Sequence, residues 1–271
     1  MTHPALGATA LVRLEKDGHL ARIVLSRGQT GNAFDLELVT ALRDAVEQVL
    51  HWTTGPDRGG VGALLLRAEG RNFSVGGDLR SFTAQGEAIG SYVREVADAA
   101  HDAVLGLAGL RVPVVAEVQG AVAGVGVGLA LAADMVVAAR SANLRLAYTA
   151  LGLTPDCGAS WMLPRLVGER RALDLVLTNR VLGAAEAETW GLFRSVVDDE
   201  ELRSVGEELA RSLASGHTHA LAQSKFLIRG DGLDGLRDHL ECEAETIAVA
   251  GTLPRTRAAM QEFLRPRTPH S

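Results

Sequence analysis

Two glycine-marked segments about fifty residues apart carry the chemistry most easily read from this 271-residue chain. The first is Arg71-Asn72-Phe73-Ser74-Val75-Gly76-Gly77-Asp78-Leu79, and the second is Gln119-Gly120-Ala121-Val122-Ala123-Gly124-Val125-Gly126-Val127-Gly128. Each follows a strand-like run and leads toward helix-like sequence, so each can present backbone N–H groups to an anionic oxygen. Two such donors aimed at one point make an oxyanion hole, which stabilises charge developing on a carbonyl. Glycine suits both places because, without Cβ, it tolerates unusual dihedrals and close approach of a ligand to the backbone.

A third segment supplies an acid. Gly152-Leu153-Thr154-Pro155-Asp156-Cys157-Gly158-Ala159-Ser160-Trp161 puts Asp156 in a turn before an apparent helix, Ala159 to Leu166. Such a carboxylate is either an N-terminal helix cap or a proton acceptor. An aspartate in water has a pKa of about 4, low for abstracting a C–H proton, and apolar neighbours such as Leu153, Trp161 and Met162 would raise it. Asp78, just after the first turn, is expected to accept local backbone hydrogen bonds. Glu95 and Asp98 fit a polar helix face. Glu117 interrupts a strand and either points away from the core or makes a structural bond.

The elements that must hold these segments follow from periodicity. Leu11 to Glu15 and His19 to Leu25 flank Lys16-Asp17-Gly18, a hairpin pattern. Phe34 to Leu50 carries helical spacing, His51 to Gly60 reads as a connection, and Val61 to Leu66 as a buried strand. Gly90 to Leu110 is helical, Val112 to Val118 a strand, Val125 to Ala133 a helix, and Met135 to Ala139 and Leu144 to Tyr148 short strands. This alternation predicts an α/β fold with parallel sheet. Beyond residue 159 the pattern turns helical through Arg170 to Leu177, Ala184 to Trp190, Leu202 to Ala214 and one long run, Leu221 to Ala250. We expect a core over 1–200, a C-terminal helical region over 201–271, and a loose tail from Arg265 to Ser271.

A 47% hydrophobic composition is enough for a substantial core. The net charge of −6 offers no general attraction to nucleic acid. Two distant cysteines, Cys157 and Cys242, make no disulfide framework or metal spacing. Met1 to Ala10 lacks the pattern of a signal peptide and no stretch reads as a membrane span, so a soluble cytoplasmic protein is expected.

Together the two turns resemble the crotonase, or enoyl-CoA hydratase/isomerase, superfamily. Arg27, Asn32-Ala33, Leu163-Pro164-Arg165-Leu166-Val167-Gly168, Ala172, Thr178, Ala184 to Ala187 and Gly191-Leu192 support the resemblance, which extends to Phe263. It implies a crotonase-like β-β-α spiral core with the thioester oxygen of an acyl-CoA held between the N–H groups of Gly77 and Val125. It also implies substrate or CoA contacts from Arg27, Phe73, Ser74, Val75, Gly76, Asp78, Gly124 and Tyr148, with further possible contacts from Lys225, Phe226 and Phe263. No metal or permanently bound cofactor is implied, coenzyme A entering as part of the substrate. A homotrimer or hexamer with no nucleic-acid or membrane partner is the implied assembly. Gly124, Gly126, Gly128 and Ala130 could also serve close helix packing, but two segments matching different halves of one oxyanion hole favour the donor role.

The resemblance also narrows the reaction. Where the family's hydratases use two glutamates, this chain has Gly128 and Tyr148, and a tyrosine with a reference pKa of about 10 is a poor base near neutrality. Asp156 falls where ring-epoxide and enoyl-CoA isomerases of phenylacetate breakdown use an aspartate, which implies an isomerase that shifts a double bond by single-carboxylate proton transfer. The alternatives are a hydratase-like lyase, an aryl-CoA dehalogenase or a non-catalytic acyl-CoA-binding protein. Val167 to Val197 resembles the chlorobenzoyl-CoA dehalogenases, in which the aspartate is a nucleophile, a tryptophan replaces Tyr148 and a histidine near His101 assists. On its own sequence, His101 fits a solvated helix face better than a catalytic role.

Overall fold

The computed structural model describes residues 11–54, 60–230 and 232–265. The expectations for Met1 to Ala10 and for the tail after Arg265 lie outside these residues. The chain begins with the expected hairpin, β1 (Val12–Asp17) and β2 (Leu20–Leu25), turned through Gly18 at φ +58°. Strand β2 is buried along its whole length because it is followed in the sheet by a parallel neighbour and covered on both faces.

Four strand–strand–helix units then wind in succession. Strand β2 leads to Phe34, which bridges Gly77, and to α1 (Leu36–Thr54), whose first turn is capped by Asp35 accepting from Leu38 N–H at 3.0 Å. Strand β3 (Ala63–Ala68) leads to Ser74, which bridges Val122, and then to α2 (Leu79–Thr83) and α3 (Ile89–Gly109). Strand β4 (Val114–Val118) leads to β5 (Ala121–Ala123) and α4 (Val125–Ala132). Strand β6 (Met135–Ala139) leads to β7 (Asn143–Arg145), α5 (Ala159–Val167) and α6 (Glu169–Thr178). Each unit places one strand in a six-stranded sheet, ordered β1-β2-β3-β4-β6 and closed by β9 (Ser195–Val197). The second pairing layer includes the three-stranded sheet β5-β7 with β8 (Leu182–Gly183), which precedes α7 (Ala184–Thr189). This is the β-β-α spiral expected of a crotonase-like fold.

The alternation of side chains decides what covers the large sheet. Leu64 and Leu66 of β3, with Val114 and Ala116 of β4, join the main core beneath α1 and α3. Ala63, Leu65, Val115, Val137 and Ala139 face the other way and are covered by Leu202, Ala210 and Ala214 of α8 (Leu202–Ala214). The remaining helices are α9 (Thr218–Arg229), α10 (Gly232–Thr252) and α11 (Pro254–Leu264). Helix α10 packs along α3. Among the described residues no helix is long and apolar enough to cross a membrane.

Three expectations about elements need correction. The single helix expected over Leu221 to Ala250 is two, α9 and α10, separated where Gly230 and Gly232 weaken helix propensity. Helix α1 continues to Thr54, past the start of the expected connection at His51. The strand expected over Leu144 to Tyr148 stops at Arg145, because Ala147 takes a left-handed φ of +64° and turns Tyr148 out of the ladder.

Candidate active site

The two glycine-marked turns are laced together by their backbones. Phe73 N–H donates to Gln119 O at 2.8 Å, Ser74 N–H to Ala121 O at 3.0 Å, and Ala123 N–H to Ser74 O at 2.9 Å. The Ser74 hydroxyl donates to Asn32 O at 2.9 Å and accepts from Gly76 N–H at 3.0 Å. Phe34 N–H donates to Gly76 O, and Asp78 N–H donates to Phe34 O, both at 2.8 Å. The Gly77 N–H, between these two bonds, therefore points to the opposite side of the strand, where Gly77 lines a cavity. Asp78 caps α2, accepting from the N–H groups of Arg80 at 3.0 Å and Ser81 at 3.4 Å, as its position after the turn suggests.

The second turn meets the first at glycine. Gly124 has φ +51° and ψ −121°, a conformation that needs glycine, and a Cβ there would lie 3.3 Å from Gly76 Cα. Val125 follows as the first residue of α4, so its N–H is one of the helix's initial unpaired donors. Gly77 and Val125 are thus the residues immediately after two touching glycines, and both line the same cavity. Helix α4 can approach the first turn this closely because Gly126 lacks a Cβ, which would lie 2.8 Å from Ser74 Cβ.

Asp156 faces this cavity and is itself buried at 5% exposure. The Tyr148 hydroxyl donates to Asp156 Oδ1 at 2.5 Å. Burial pushes the Asp156 carboxyl up to about 6, against the opposing pull of the Tyr148 hydroxyl and the Cys157 thiol. Burial and the adjacent carboxylate together push the Tyr148 phenol well above its ordinary value, so it stays protonated as the donor.

The helix-cap role for Asp156 is not what the structure shows. The start of α5 is capped from a distant helix: Glu243 of α10 accepts from Gly158 N–H at 2.7 Å, Ser160 N–H at 3.1 Å and the Ser160 hydroxyl. Burial pushes the Glu243 carboxyl up to about 7, opposed by the Ser160 hydroxyl and the backbone N–H groups it accepts from. Glu243 escaped the sequence reading because its partners lie more than eighty residues away. One signal was available, an acid within the buried stripe Leu236, Leu240, Ala244 and Ile247.

His101 is a second correction. It does not lie on a solvated helix face but is buried at 5% exposure, its Nε2 accepting from Cys157 N–H at 3.1 Å. Desolvation, with the Arg94 charge adding to it and Glu241 opposing, lowers it to about 4 and leaves the imidazole neutral. His101, Asp156 and Cys157 each bring a metal-ligand type atom within 4.8 Å of the others. The histidine Nε2 already accepts from Cys157 N–H, and burial pushes the Cys157 thiol well above its usual range.

The cavity, of about 1230 Å³, is bounded by both turns, Tyr148 and Asp156. Val93, Val96, Ala97 and Ala100 of α3 and Ile247 of α10 give it apolar walls, and exposed Phe263 of α11 stands on its lining. Val75, Gly76, Asp78 and Gly124 also line it, whereas Phe73 and Ser74 are buried behind the first turn. Arg27 is engaged by Asp35 at 2.5 Å and Asp78 at 3.7 Å. Lys225 is anchored to Asp134 at 2.7 Å, and the Arg111 guanidinium lies over the Phe226 ring at 4.7 Å. Glu95 and Asp98 are exposed on α3. Glu117 is fully buried and bonded to Arg203 of α8.

Comparison with known proteins decides the family, since the description Enoyl-CoA hydratase/isomerase matches residues 15–270. The chain belongs to the enoyl-CoA hydratase/isomerase family. Within this crotonase superfamily it is similar to the 1,2-epoxyphenylacetyl-CoA isomerase of Escherichia coli K12, 36% identical with 91% of this chain and 92% of that protein covered. It is also similar to 4-chlorobenzoyl coenzyme A dehalogenase-2 of an Arthrobacter species, 31% identical over 88% of this chain and 85% of that one. Among solved structures, an enoyl-CoA hydratase from Mycobacterium avium subsp. paratuberculosis K-10 superposes with a TM-score of 0.83 at 30% identity, covering 94% of this chain and all of that one. The protein is an acyl-CoA-processing enzyme of the crotonase superfamily.

Proposed function

We propose that this crotonase-superfamily enzyme is an enoyl-CoA isomerase that moves a double bond through a thioester enolate. One observation carries the proposal: a single buried carboxylate, Asp156, held by Tyr148, shares an apolar cavity with the Gly77 and Val125 turns. The thioester oxygen accepts from the N–H groups of Gly77 and Val125. Asp156 removes a proton from the substrate carbon, the C–H electrons pass through the conjugated system to that oxygen, and the two donors stabilise the resulting dienolate. The protonated Asp156 then returns the proton to the other end of the conjugated system, leaving the double bond shifted and the carboxylate restored. A carboxyl raised to about 6 is a better match for this exchange near neutrality than an ordinary aspartate.

The remaining residues take supporting parts. Val75, Gly76, Asp78, Gly124 and Tyr148 shape the thioester end of the site, while Phe73, Ser74 and Arg27 hold the first turn from behind. Similarity to an E. coli protein described as an isomerase is in keeping with this activity. Aryl-CoA dehalogenation is less favoured, because His101 gives its Nε2 to Cys157 and does not line the cavity. The exposed side chains of Phe226, Leu227 and Ile228 on α9 offer an apolar surface for a homotrimer or hexamer.

The test is turnover of cis and trans enoyl-CoA esters in deuterated water. Deuterium should enter the isomerised product at less than one atom per turnover, to the extent that the protonated Asp156 exchanges with solvent before returning its proton, and Asp156→Asn should abolish isomerisation while acyl-CoA still binds. Parent turnover in Asp156→Asn, or chloride release from chlorobenzoyl-CoA with no isomerisation of any ester, would overturn the assignment.

A further inference from the structure

The turn that carries Asp156 is fastened at both ends by the C-terminal helices. At its start, the buried Thr256 of α11 donates through its hydroxyl to Gly152 O at 3.0 Å. Gly152, at φ +75°, is seated so closely that a Cβ would lie 2.7 Å from Thr256 Oγ1. At its end, Glu243 of α10 takes three donors, the N–H groups of Gly158 and Ser160 and the Ser160 hydroxyl. Gly158, at φ +74°, packs so that a Cβ would be 3.2 Å from Leu236 of the same helix. Between these two points, His101 of α3 holds Cys157 N–H.

We propose that Glu243 and Thr256 are positioning residues for the Asp156 carboxylate, fixing the two ends of its turn from the C-terminal helices; the proposal rests on the isomerase function above. Neither side chain lines the cavity, so both act through the backbone. The geometry also ties positioning to substrate recognition. Ile247, one helical turn beyond Glu243, lines the acyl cavity, and Ala259, three residues beyond Thr256, does the same on α11. The helices that contact the acyl group are therefore the ones that aim the acid.

Around the Glu243 carboxylate stand Asp156, Cys157 and Tyr148 on the side of the turn and Ser160 on α5. His239 lies 3.8 Å away on its own helix, and His101 reaches the same turn from α3. The Asp156 charge helps to raise Glu243 to about 7, so Glu243 ionises after Asp156, at about 6, and a neutral glutamine in its place should leave the ionisation of Asp156 unmoved. A loss of kcat at unchanged KM with the acidic limb in place is therefore the signature of a misplaced acid rather than of an altered one.

The experiment compares kcat, KM, pH profile and thermal stability for the full-length parent, Glu243→Gln, Thr256→Val and Thr256→Ser, with a trans enoyl-CoA ester as substrate and Asp156→Asn as control. Glu243→Gln should lower kcat by about 10- to 100-fold with little change in KM, since small misplacement of a reacting group costs that much. Its acidic limb should stay at the parent pH. Thr256→Val should lower kcat several-fold without moving the limb, and Thr256→Ser should restore it. A folded Glu243→Gln protein with parent kcat would overturn the proposal, as would a loss of rate matched by an equal loss of folded protein. Should Glu243→Gln fail to fold, Ser160→Ala, which removes one of the three donors, decides in its place: a folded variant must lose kcat, and parent kinetics in both Ser160→Ala and Thr256→Val overturn the proposal. Failure of the isomerase assignment registers separately, as parent turnover in Asp156→Asn.

Discussion

Gly128 and Cys157 are pressed together so closely that a Cβ on Gly128 would lie 2.3 Å from Cys157 O and 2.6 Å from Cys157 Cβ. The space in which a side chain at position 128 would begin is filled by the turn that bears Asp156. A residue-128 acid and the observed position of the Asp156 turn thus exclude each other sterically.

From this contact, Gly128→Ala should destabilise the protein by about 1–3 kcal/mol through overpacking. It should also lower turnover as Cys157, and with it Asp156, is displaced. Gly128→Glu should bring no hydratase activity. Denaturant unfolding together with a coupled hydration assay checks both expectations, and a stable, hydrating Gly128→Glu enzyme would contradict them.

Tyr148→Phe removes the hydroxyl that donates to Asp156 at 2.5 Å. That bond favours the ionised carboxylate, so without it the Asp156 value should rise above about 6. The acidic limb of kcat/KM should move to higher pH, with turnover falling most below neutrality and recovering in alkaline buffer. A pH–rate profile of the two proteins measures the displacement; an unmoved limb would remove Tyr148 from the titration of the acid.

A buried carboxyl raised to about 6 also has a consequence for stability. Its unfolded value is about 4, so the folded state holds the extra proton between these two pH values. The favourable contribution is complete below pH about 4 and is lost as pH rises through about 6. At pH 8, Asp156→Asn should therefore be more stable than the parent by about 1–3 kcal/mol, and the difference should vanish toward pH 4. Urea unfolding at both pH values tests the sign.

Glu117 is fully buried and depends on Arg203 for its ion pair, while Arg203 also donates to Ala68 O at 2.5 Å. Arg203→Ala should cost about 3 kcal/mol by leaving a buried acid unpaired. Adding Glu117→Ala in that background should recover part of the loss. A double-mutant cycle on unfolding free energy measures the coupling.

The parts of the site legible in the sequence are those made by neighbours along the chain. Gly76 beside Gly77, Gly124 beside Val125 and the capping of α2 by Asp78 are local arrangements whose residue types announce the backbone they need. The alternating strands and helices likewise foretold the parallel sheet, because periodicity is a local property, whereas the spiral came from the family resemblance. Contacts between distant segments were not legible. His101 looked like a surface residue because no short-range pattern records that Cys157, fifty-six residues later, will donate to it. For Asp156 the short-range context left a helix cap open beside the proton-acceptor role, and only the packed C-terminal helices show Glu243 in the capping place.

The fastening of the Asp156 turn by Thr256 and Glu243 sets an order of events during synthesis. A nascent chain that has emerged only as far as α8 already contains both glycine turns, the acid and the sheet that carries them, yet lacks every bond from the last two helices. The turn can therefore be fastened only after residues 243 and 256 have been made, and a ribosome that stops short of residue 256 leaves it without its Thr256 anchor.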